Sequence, residues 1–267
     1  MEQIIPYIEM LRIPDWKGYF LIALLGLLIS NNFYSLQDIF ILLVTTCLFL
    51  GFSFSINNCF DIKEDKLGNK NNPITKNKIS IKKGYIFSLF LAFIGLQILV
   101  IYDHRLLSIY LLMLLIAFFY SSPPLRFKSK CLLDMLSHGL FFGVFLYLYP
   151  LFIFEVPLSL FHYLIAVSIF LFSIIAELKN HLRDYKYDKK AGLKTTVCTL
   201  GYKKSLKLFN ILHLIYPIPL FFCFIIAGSF IYLSFFLILT FYWFFRKFRI
   251  GYYTILSFFL LLITTFL

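Results

Sequence analysis

The chain has 267 residues, of which 61% are hydrophobic and 14% charged, and its formal net charge at pH 7 is +12. Soluble globular domains usually contain about 45–50% apolar and about 25% charged residues, so this composition excludes an ordinary soluble protein. Apolar stretches recur with only short polar interruptions, which predicts an all-α polytopic membrane protein.

Nine apolar segments are predicted to span the membrane, within one domain that covers residues 1–267. In chain order they lie at about residues 18–35, 39–57, 84–102, 106–120, 135–154, 158–178, 205–227, 230–245 and 251–267.

Lys and Arg residues are distributed unevenly among the segments that connect these spans. Nearly all of the 25 basic residues lie in alternate connecting segments, and only Arg105 lies in a segment on the other side. Basic residues concentrate on the cytoplasmic side of membrane proteins, so the N-terminus is predicted to be cytoplasmic and the C-terminus to lie outside. The positive charge therefore reports orientation in the cytoplasmic membrane, and no nucleic-acid partner is predicted.

A row of polar residues follows the second predicted span. Asn57, Asp61 and Asp65 are spaced four residues apart, which places their side chains in one row along a helix face. Carboxylates at this spacing repel each other, and a divalent cation would relieve the repulsion. Mg²⁺ takes oxygen ligands and typically binds through one or two carboxylates plus substrate phosphates. Asp61 and Asp65 are therefore predicted metal ligands.

A loop between the fourth and fifth spans supplies candidate partners for a diphosphate. It runs from Tyr120 through Ser-Ser-Pro-Pro-Leu to Arg126, and then to Lys128. The two prolines restrict the backbone ahead of the basic pair. Arg126 is expected to bind phosphate oxygens through its planar guanidinium group, and Lys128 to act as a point charge. The alternative for both is a role in membrane orientation or in lipid headgroup contact.

The polar row returns 123 residues later, after the sixth span, as Asn180, Asp184 and Asp188. Four spans separate the two copies, which predicts a bundle of two four-helix repeats plus a ninth helix. In such a bundle the two rows face each other across a central cavity at the cytoplasmic end. Asp184 and Asp188 then complete a site that holds two or more Mg²⁺ ions with a diphosphate between them.

Further polar residues lie close to the two rows. Glu177 and His181 share the helix face of the second row, and Glu177 is predicted to orient a neighbouring group or to act on an acceptor proton. Arg183 is a candidate phosphate ligand, and Asn57 and Asn180 are expected to add amide contacts. The structural alternatives are helix-end hydrogen bonding for the asparagines and interhelical hydrogen bonding for Glu177 and His181.

Taken in this order, the motifs resemble those of the UbiA-type intramembrane prenyltransferases. Residues 57–65 match the family's first signature, N-D-x-x-D-x-x-x-D, and residues 181–188 match its second, D-x-x-D-x-x-x-D. Residues 120–128 are similar to the intervening loop of several branches. Asn58 and His181 stand where many members carry Asp, which leaves four aspartates as the implied metal core.

The resemblance implies Mg²⁺-dependent transfer of a prenyl group from an allylic prenyl diphosphate to a hydrophobic acceptor inside the bilayer. The implied mechanism passes through a carbocation that forms as the diphosphate leaves. The acceptor is left open among an aromatic or quinone precursor, a polyprenyl or carotenoid end, and a glycerol-lipid hydroxyl. The implied diphosphate-binding residues are Asn57, Asn58, Tyr120, Arg126, Lys128, Asn180, His181 and Arg183, beside the catalytic set Asp61, Asp65, Asp184, Asp188 and Glu177.

An ion-coupled membrane transporter with acidic cation sites is the alternative function. Transporter sites usually lie near the bilayer midplane on broken helices, whereas both acidic rows lie at the predicted cytoplasmic ends of spans. The position of the rows therefore favours the enzyme.

Overall fold

The structure, a computed structural model, describes residues 4–30, 35–246 and 249–266. Within those ranges every regular element is a helix, so the predicted all-α architecture is confirmed. Residues 1–3 of the predicted domain, residues 31–34 of the first predicted span and residue 267 of the last lie outside the described residues.

Fourteen α-helices occur in the described ranges. They are α1 (Ile5–Leu11), α2 (Lys17–Ile29), α3 (Leu36–Phe60), α4 (Ile62–Leu67), α5 (Ile81–Tyr102), α6 (Leu107–Ser121), α7 (Leu133–His138), α8 (Phe145–Ile153), α9 (Leu160–Ala191), α10 (Thr196–Leu200), α11 (Tyr202–Ile215), α12 (Pro217–Ile226), α13 (Phe230–Arg246) and α14 (Ile250–Phe266). A π-helical segment, Gly139–Val144, joins α7 to α8.

Six helical stretches in the described part of the chain are long and apolar enough to cross a membrane. They are Leu36–Phe60, Ile81–Tyr102, His104–Ser121, Leu133–Ile153, Leu160–Ala191 and Tyr202–Ile226. Helices α2, α13 and α14 coincide with three other predicted spans, but they have only 13, 17 and 17 residues, short of the ~20 usually needed. The multi-pass prediction is confirmed, while the count of nine spans, the single domain and the two four-helix repeats stay predictions.

Close helix packing fixes the position of α3, which carries the first polar row. Helix α3 runs along α5 and α6. The Tyr110 ring of α6 lies so near α5 that a Cβ atom at Gly95 would come within 2.2 Å of the Tyr110 hydroxyl oxygen. That hydroxyl donates to the Thr45 carbonyl oxygen of α3 at 3.0 Å, so glycine at position 95 allows three helices to meet.

Polar contacts tie together the end of the bundle where α3 begins. The Tyr102 hydroxyl donates to Asp38 at 2.5 Å, and Arg105 pairs with both Asp103 and Glu155. The first contact joins the end of α5 to the start of α3, and the ion pair with Glu155 joins the segment between α5 and α6 to the segment that follows α8. The two polar rows lie at the opposite end of the bundle.

The two rows differ in their backbone. Helix α9 continues without a break through Asn180, Asp184 and Asp188, as predicted. The prediction of one uninterrupted helix is wrong for the first row, because α3 ends at Phe60 and α4 begins at Ile62. Aspartate favours helix ends because its side chain competes for backbone hydrogen bonds, and Asp61 adopts φ −94° and ψ 18° at this break.

Candidate active site

A polar cavity of about 200 Å³ lies at the end of the bundle that carries both rows. Its inner wall is apolar and includes Phe54, Phe141 and Phe142. Ten of the thirteen predicted site residues line it: Asn57, Asp61, Tyr120, Lys128, Glu177, Asn180, His181, Arg183, Asp184 and Asp188. The other three, Asn58, Asp65 and Arg126, line two neighbouring cavities. Residues of both rows therefore meet at this cavity, although Asp65 of the first row lines a neighbouring one.

Asp61 is buried next to cationic side chains from the loop that follows α6. Its carboxylate contacts Nζ of Lys128, and Nη2 of Arg126 lies 3.9 Å away. Arg126 forms its shorter ion pair with Glu64, at 2.6 Å. Lys128 is thus the basic residue of this loop that reaches the cavity, whereas Arg126 is engaged beside it. Diphosphate binding by Arg126 stays a prediction. The ion pair of Arg126 with Glu64, outside the central cavity, does not favour it.

Asp65 faces the neighbouring cavity rather than the central one. Asn72 Nδ2 donates to its carboxylate at 2.8 Å and also to the Asn58 carbonyl oxygen at 2.9 Å. Burial, followed by the negative charge of Asp61, raises the pKa of the Asp65 carboxyl despite the hydrogen bond from Asn72. The surroundings of this carboxyl therefore disfavour its charged form.

Asn58 contacts the N-terminal helix instead of the central cavity. Its side chain is buried, and Nδ2 donates to the Met10 carbonyl oxygen of α1 at 3.1 Å. This contact holds α1 against the end of α3. A direct contact with diphosphate stays a prediction for Asn58, and its position favours a structural role.

Asn58→Ala is expected to destabilise the protein by about 0.5–1.5 kcal/mol, because the Met10 carbonyl oxygen loses the shorter of its two side-chain hydrogen bonds and keeps only the one from the Ser55 hydroxyl, at 3.3 Å. Thermal unfolding in detergent would measure the loss. Asn210→Ala, at an exposed position on α11, is the matched control and should leave the unfolding midpoint almost unchanged. Equal midpoints for the two variants would contradict the structural role of Asn58.

The second row presents its carboxylates along α9. Asp184 Oδ2 lies 3.0 Å from Nζ of Lys70, and Asp184 Oδ1 accepts a hydrogen bond from Nε of Arg183 at 3.1 Å. Asp188, one turn further along, is 8% exposed. Lys70 comes from the loop that follows α4, so this ion pair joins the segment after the first row to the second row.

Glu177 lies one to two turns deeper and is surrounded by hydrogen-bonding groups. It accepts from the Tyr120 hydroxyl at 2.5 Å and from Asn180 Nδ2 at 3.2 Å. Nε2 of His181 lies 3.2 Å and Nε2 of His138 lies 3.6 Å from its carboxylate oxygens. The carboxylate is therefore held in one orientation at the inner wall of the cavity.

His181 lies between two buried carboxylates. Its Nε2 faces Glu177, and its Nδ1 lies 3.2 Å from Asp134. Asp134 is fully buried and accepts hydrogen bonds from the backbone nitrogen and the hydroxyl of Thr196, at 2.6 and 2.5 Å. The chain of contacts from Thr196 to Glu177 thus fixes the imidazole ring of His181.

Several residues of the site were missed at the level of sequence. Glu64 follows Asp61 by three residues, and this spacing could have identified Glu64 as a candidate site residue. Lys70, Asp134 and His138 reach the site from other elements, and no spacing in the sequence signals them.

The four predicted metal ligands divide between two adjoining cavities. Asp61, Asp184 and Asp188 line the central one, and Asp65 lines its neighbour. Among the described residues no three His, Cys, Asp or Glu side chains converge closely enough to hold an ion. Carboxylate oxygens are nevertheless the ligands that Mg²⁺ prefers. Burial and the nearby charge of Asp61 raise the pKa of Asp65, and a bound divalent cation would favour the charged carboxylate again. The donor set therefore fits Mg²⁺.

The fold and the cavity together define a class of protein: a multi-pass helical membrane protein with a charged cavity that has an aromatic inner wall. The model of the UbiA prenyltransferase family matches residues 19–263. The chain belongs to the UbiA prenyltransferase family. The family prediction is confirmed, and with it the prediction of a membrane enzyme that transfers prenyl groups.

Individual relatives agree with this assignment. Digeranylgeranylglyceryl phosphate synthase of Saccharolobus solfataricus is 29% identical over 229 residues, which are 80% of this chain and 77% of that protein. The chloroplastic 2-acylphloroglucinol 4-prenyltransferase of Humulus lupulus is 30% identical over 195 residues, 66% of this chain and 46% of that protein. The solved structure of a UbiA homolog from Archaeoglobus fulgidus bound to DMAPP and Mg²⁺ has a TM-score of 0.76 at 24% identity, covering 94% of this chain and 85% of that one.

Proposed function

We propose that this chain transfers a prenyl group from an allylic prenyl diphosphate to the hydroxyl group of an isoprenoid glyceryl phosphate, with two or more Mg²⁺ ions. One observation carries the proposal: aspartates from both acidic rows, two lysines and an aromatic wall converge on one cavity. Such a cavity suits a substrate that has a highly charged head and an apolar tail.

The charged part of the cavity accounts for binding of the diphosphate. The carboxylates of Asp61, Asp184 and Asp188, with Asp65 at the edge, would hold Mg²⁺. Bound there, Mg²⁺ would stabilise the negative charge of the departing diphosphate. Lys128 and Arg183 would bind further phosphate oxygens, because both line the same cavity.

The apolar wall accounts for the protection of the carbocation. Phe54 and Phe142 stack with centroids 5.6 Å apart, and Tyr19 stacks on Phe142 at 4.1 Å. These rings would line the path of the prenyl chain and exclude water from the reacting carbon. Their faces attract positive charge, which favours formation of the allylic cation beside them.

Glu177 is placed to receive the proton that the acceptor loses. When the C–O bond of the prenyl diphosphate breaks, the electron pair leaves with the diphosphate. The acceptor oxygen then forms a new C–O bond to the allylic carbon, and its hydroxyl proton passes to Glu177. Hydrogen bonds from Tyr120 and Asn180 hold the carboxylate at the cavity wall for this role.

The proposed acceptor follows from the relatives. Several similar proteins, including those of Saccharolobus solfataricus and Methanosphaera stadtmanae, are named digeranylgeranylglyceryl phosphate synthases. The Humulus lupulus relative is named for an aromatic acceptor, but this chain covers less than half of its length. A glyceryl phosphate is therefore the acceptor that the comparisons support best.

The orientation in the membrane is also a proposal. The cavity lies at the end of the bundle that carries the basic loops after α4, α6 and α9, and the positive-inside rule places that end in the cytoplasm. The N-terminus then lies on the cytoplasmic side of the plasma membrane and the C-terminus outside.

Purified protein in lipid nanodiscs is expected to form a prenylated glyceryl phosphate when it is supplied with Mg²⁺ and geranylgeranyl diphosphate. The test compares isoprenoid glyceryl phosphate, an aromatic hydroxy acid and a carotenoid precursor as acceptors, each with dimethylallyl, geranyl and geranylgeranyl diphosphates. Mass spectrometry of the products reads out which pair reacts. A product formed with the aromatic acid alone would overturn the proposed acceptor while leaving prenyl transfer intact.

A further inference from the structure

Lys70 is the residue that joins the two acidic rows. Its backbone nitrogen donates to the Asp65 carbonyl oxygen at 2.9 Å, which anchors it at the end of α4. Its side chain extends from there to Asp184 on α9, where Nζ lies 3.0 Å from Oδ2. The same side chain lines both the central cavity and the neighbouring cavity that contains Asp65.

The charges around Lys70 are mainly carboxylates of the proposed metal site. Its Nζ lies 3.0 Å from Asp184, and the side chain lines the cavities that contain Asp61 and Asp65. A lysine side chain ordinarily carries a positive charge at neutral pH. Lys70 therefore supplies a positive charge among the side chains that would bind a divalent cation.

The ion pair between Lys70 and Asp184 is expected to be easily displaced. Its side chain is 47% exposed, and ion pairs of such exposed groups are weak. A lysine side chain is also long and flexible, with a compact charge at its tip. Lys128 differs, because its side chain is only 9% exposed beside Asp61. Lys70 is thus the movable cation of the two.

We propose that Lys70 is a counter-ion that takes the place of a divalent cation between the two acidic rows and transfers to the diphosphate when metal and substrate bind. A cation bound to Asp184 competes with the ammonium group for the same carboxylate. Once displaced, the ammonium group stays within reach of the central cavity, where the phosphate oxygens would lie. The inference rests on the proposed function, because it needs a metal and a diphosphate in this cavity.

Lys70→Met in the full chain tests this role without relying on turnover. Binding of Mn²⁺, used as a stand-in for Mg²⁺, is measured by electron paramagnetic resonance with no substrate present. The variant should bind Mn²⁺ about two- to fivefold more tightly than the wild type, because the competing charge is gone. With Mg²⁺ present, it should bind a non-reactive prenyl thiodiphosphate several-fold more weakly.

Two controls separate this effect from general changes in charge or folding. Lys82→Met removes an exposed lysine at the start of α5 and should leave both affinities at the wild-type values. Lys70→Arg keeps the charge and should keep Mn²⁺ affinity close to wild type. Thermal unfolding verifies that each variant is folded.

Equal or weaker Mn²⁺ binding by folded Lys70→Met, including no binding by either protein, would overturn the counter-ion role. Failure of the wild type to bind the thiodiphosphate would instead overturn the proposed function. The two failures are therefore distinguishable, since the first compares the metal alone and the second concerns the substrate analogue.

Discussion

Asp184→Asn is expected to lower the rate of prenyl transfer by roughly 100- to 1,000-fold, the range typical for losing one strong electrostatic contact to a developing charge. Asparagine has nearly the same shape as aspartate but lacks the charge that would hold Mg²⁺. It would also leave Lys70 and Arg183 facing each other without the carboxylate between them. The loss should appear in kcat and as a requirement for higher Mg²⁺ concentration, measured by diphosphate release and product mass.

Asp103→Asn is the matched control for this variant. Asp103 lies at the opposite end of the bundle, where it pairs with Arg105. Its loss should leave both the rate and the Mg²⁺ dependence near wild type. If Asp184→Asn retained full activity at low Mg²⁺, Asp184 would have no place in the diphosphate site.

Glu177→Gln is expected to lower product formation by about 100- to 10,000-fold, the range for removing a general base. Glutamine can still accept the hydrogen bond from Tyr120, so the local fold should persist. It cannot take up the proton of the acceptor at neutral pH. The acceptor then captures the allylic cation slowly, and water captures it instead.

The decisive measurement for Glu177 is the ratio of prenylated product to released diphosphate. A ratio near one is expected for the wild type and a much lower ratio for Glu177→Gln. Glu155 is an exposed ion-pair partner of Arg105 at the far end of the bundle, and Glu155→Gln should keep the wild-type ratio. Product and diphosphate falling in equal proportion would argue that Glu177 acts on ionisation rather than on the acceptor proton.

The second acidic row could be predicted from sequence because one local rule governs it. Residues four apart share a helix face, and α9 keeps that geometry from Asn180 to Asp188. The same rule failed for the first row, because Asp61 stands at a break between α3 and α4. Whether a helix continues past such a residue depends on packing around it, which spacing alone does not reveal.

The contacts that complete the site could not be predicted from spacing. Lys70 and Asp184 are 114 residues apart, and Asp134 and Thr196 are 62 residues apart. Such pairs depend on how loops and helices of different parts of the chain are placed in three dimensions. His181 illustrates the limit: the resemblance marked it as a departure, but only the structure shows a second carboxylate, Asp134, beside its ring.

In the proposed mechanism the two acidic rows form a Mg²⁺-dependent clamp for the diphosphate of a prenyl donor. The most direct test measures product formation from geranylgeranyl diphosphate and an isoprenoid glyceryl phosphate by the wild type in nanodiscs, before and after removal of divalent cations with a chelator. We expect product with Mg²⁺, none after chelation, and full recovery when Mg²⁺ is restored. Undiminished product after chelation would contradict the clamp, and ion-gradient-driven uptake without any covalent product would contradict the enzyme itself.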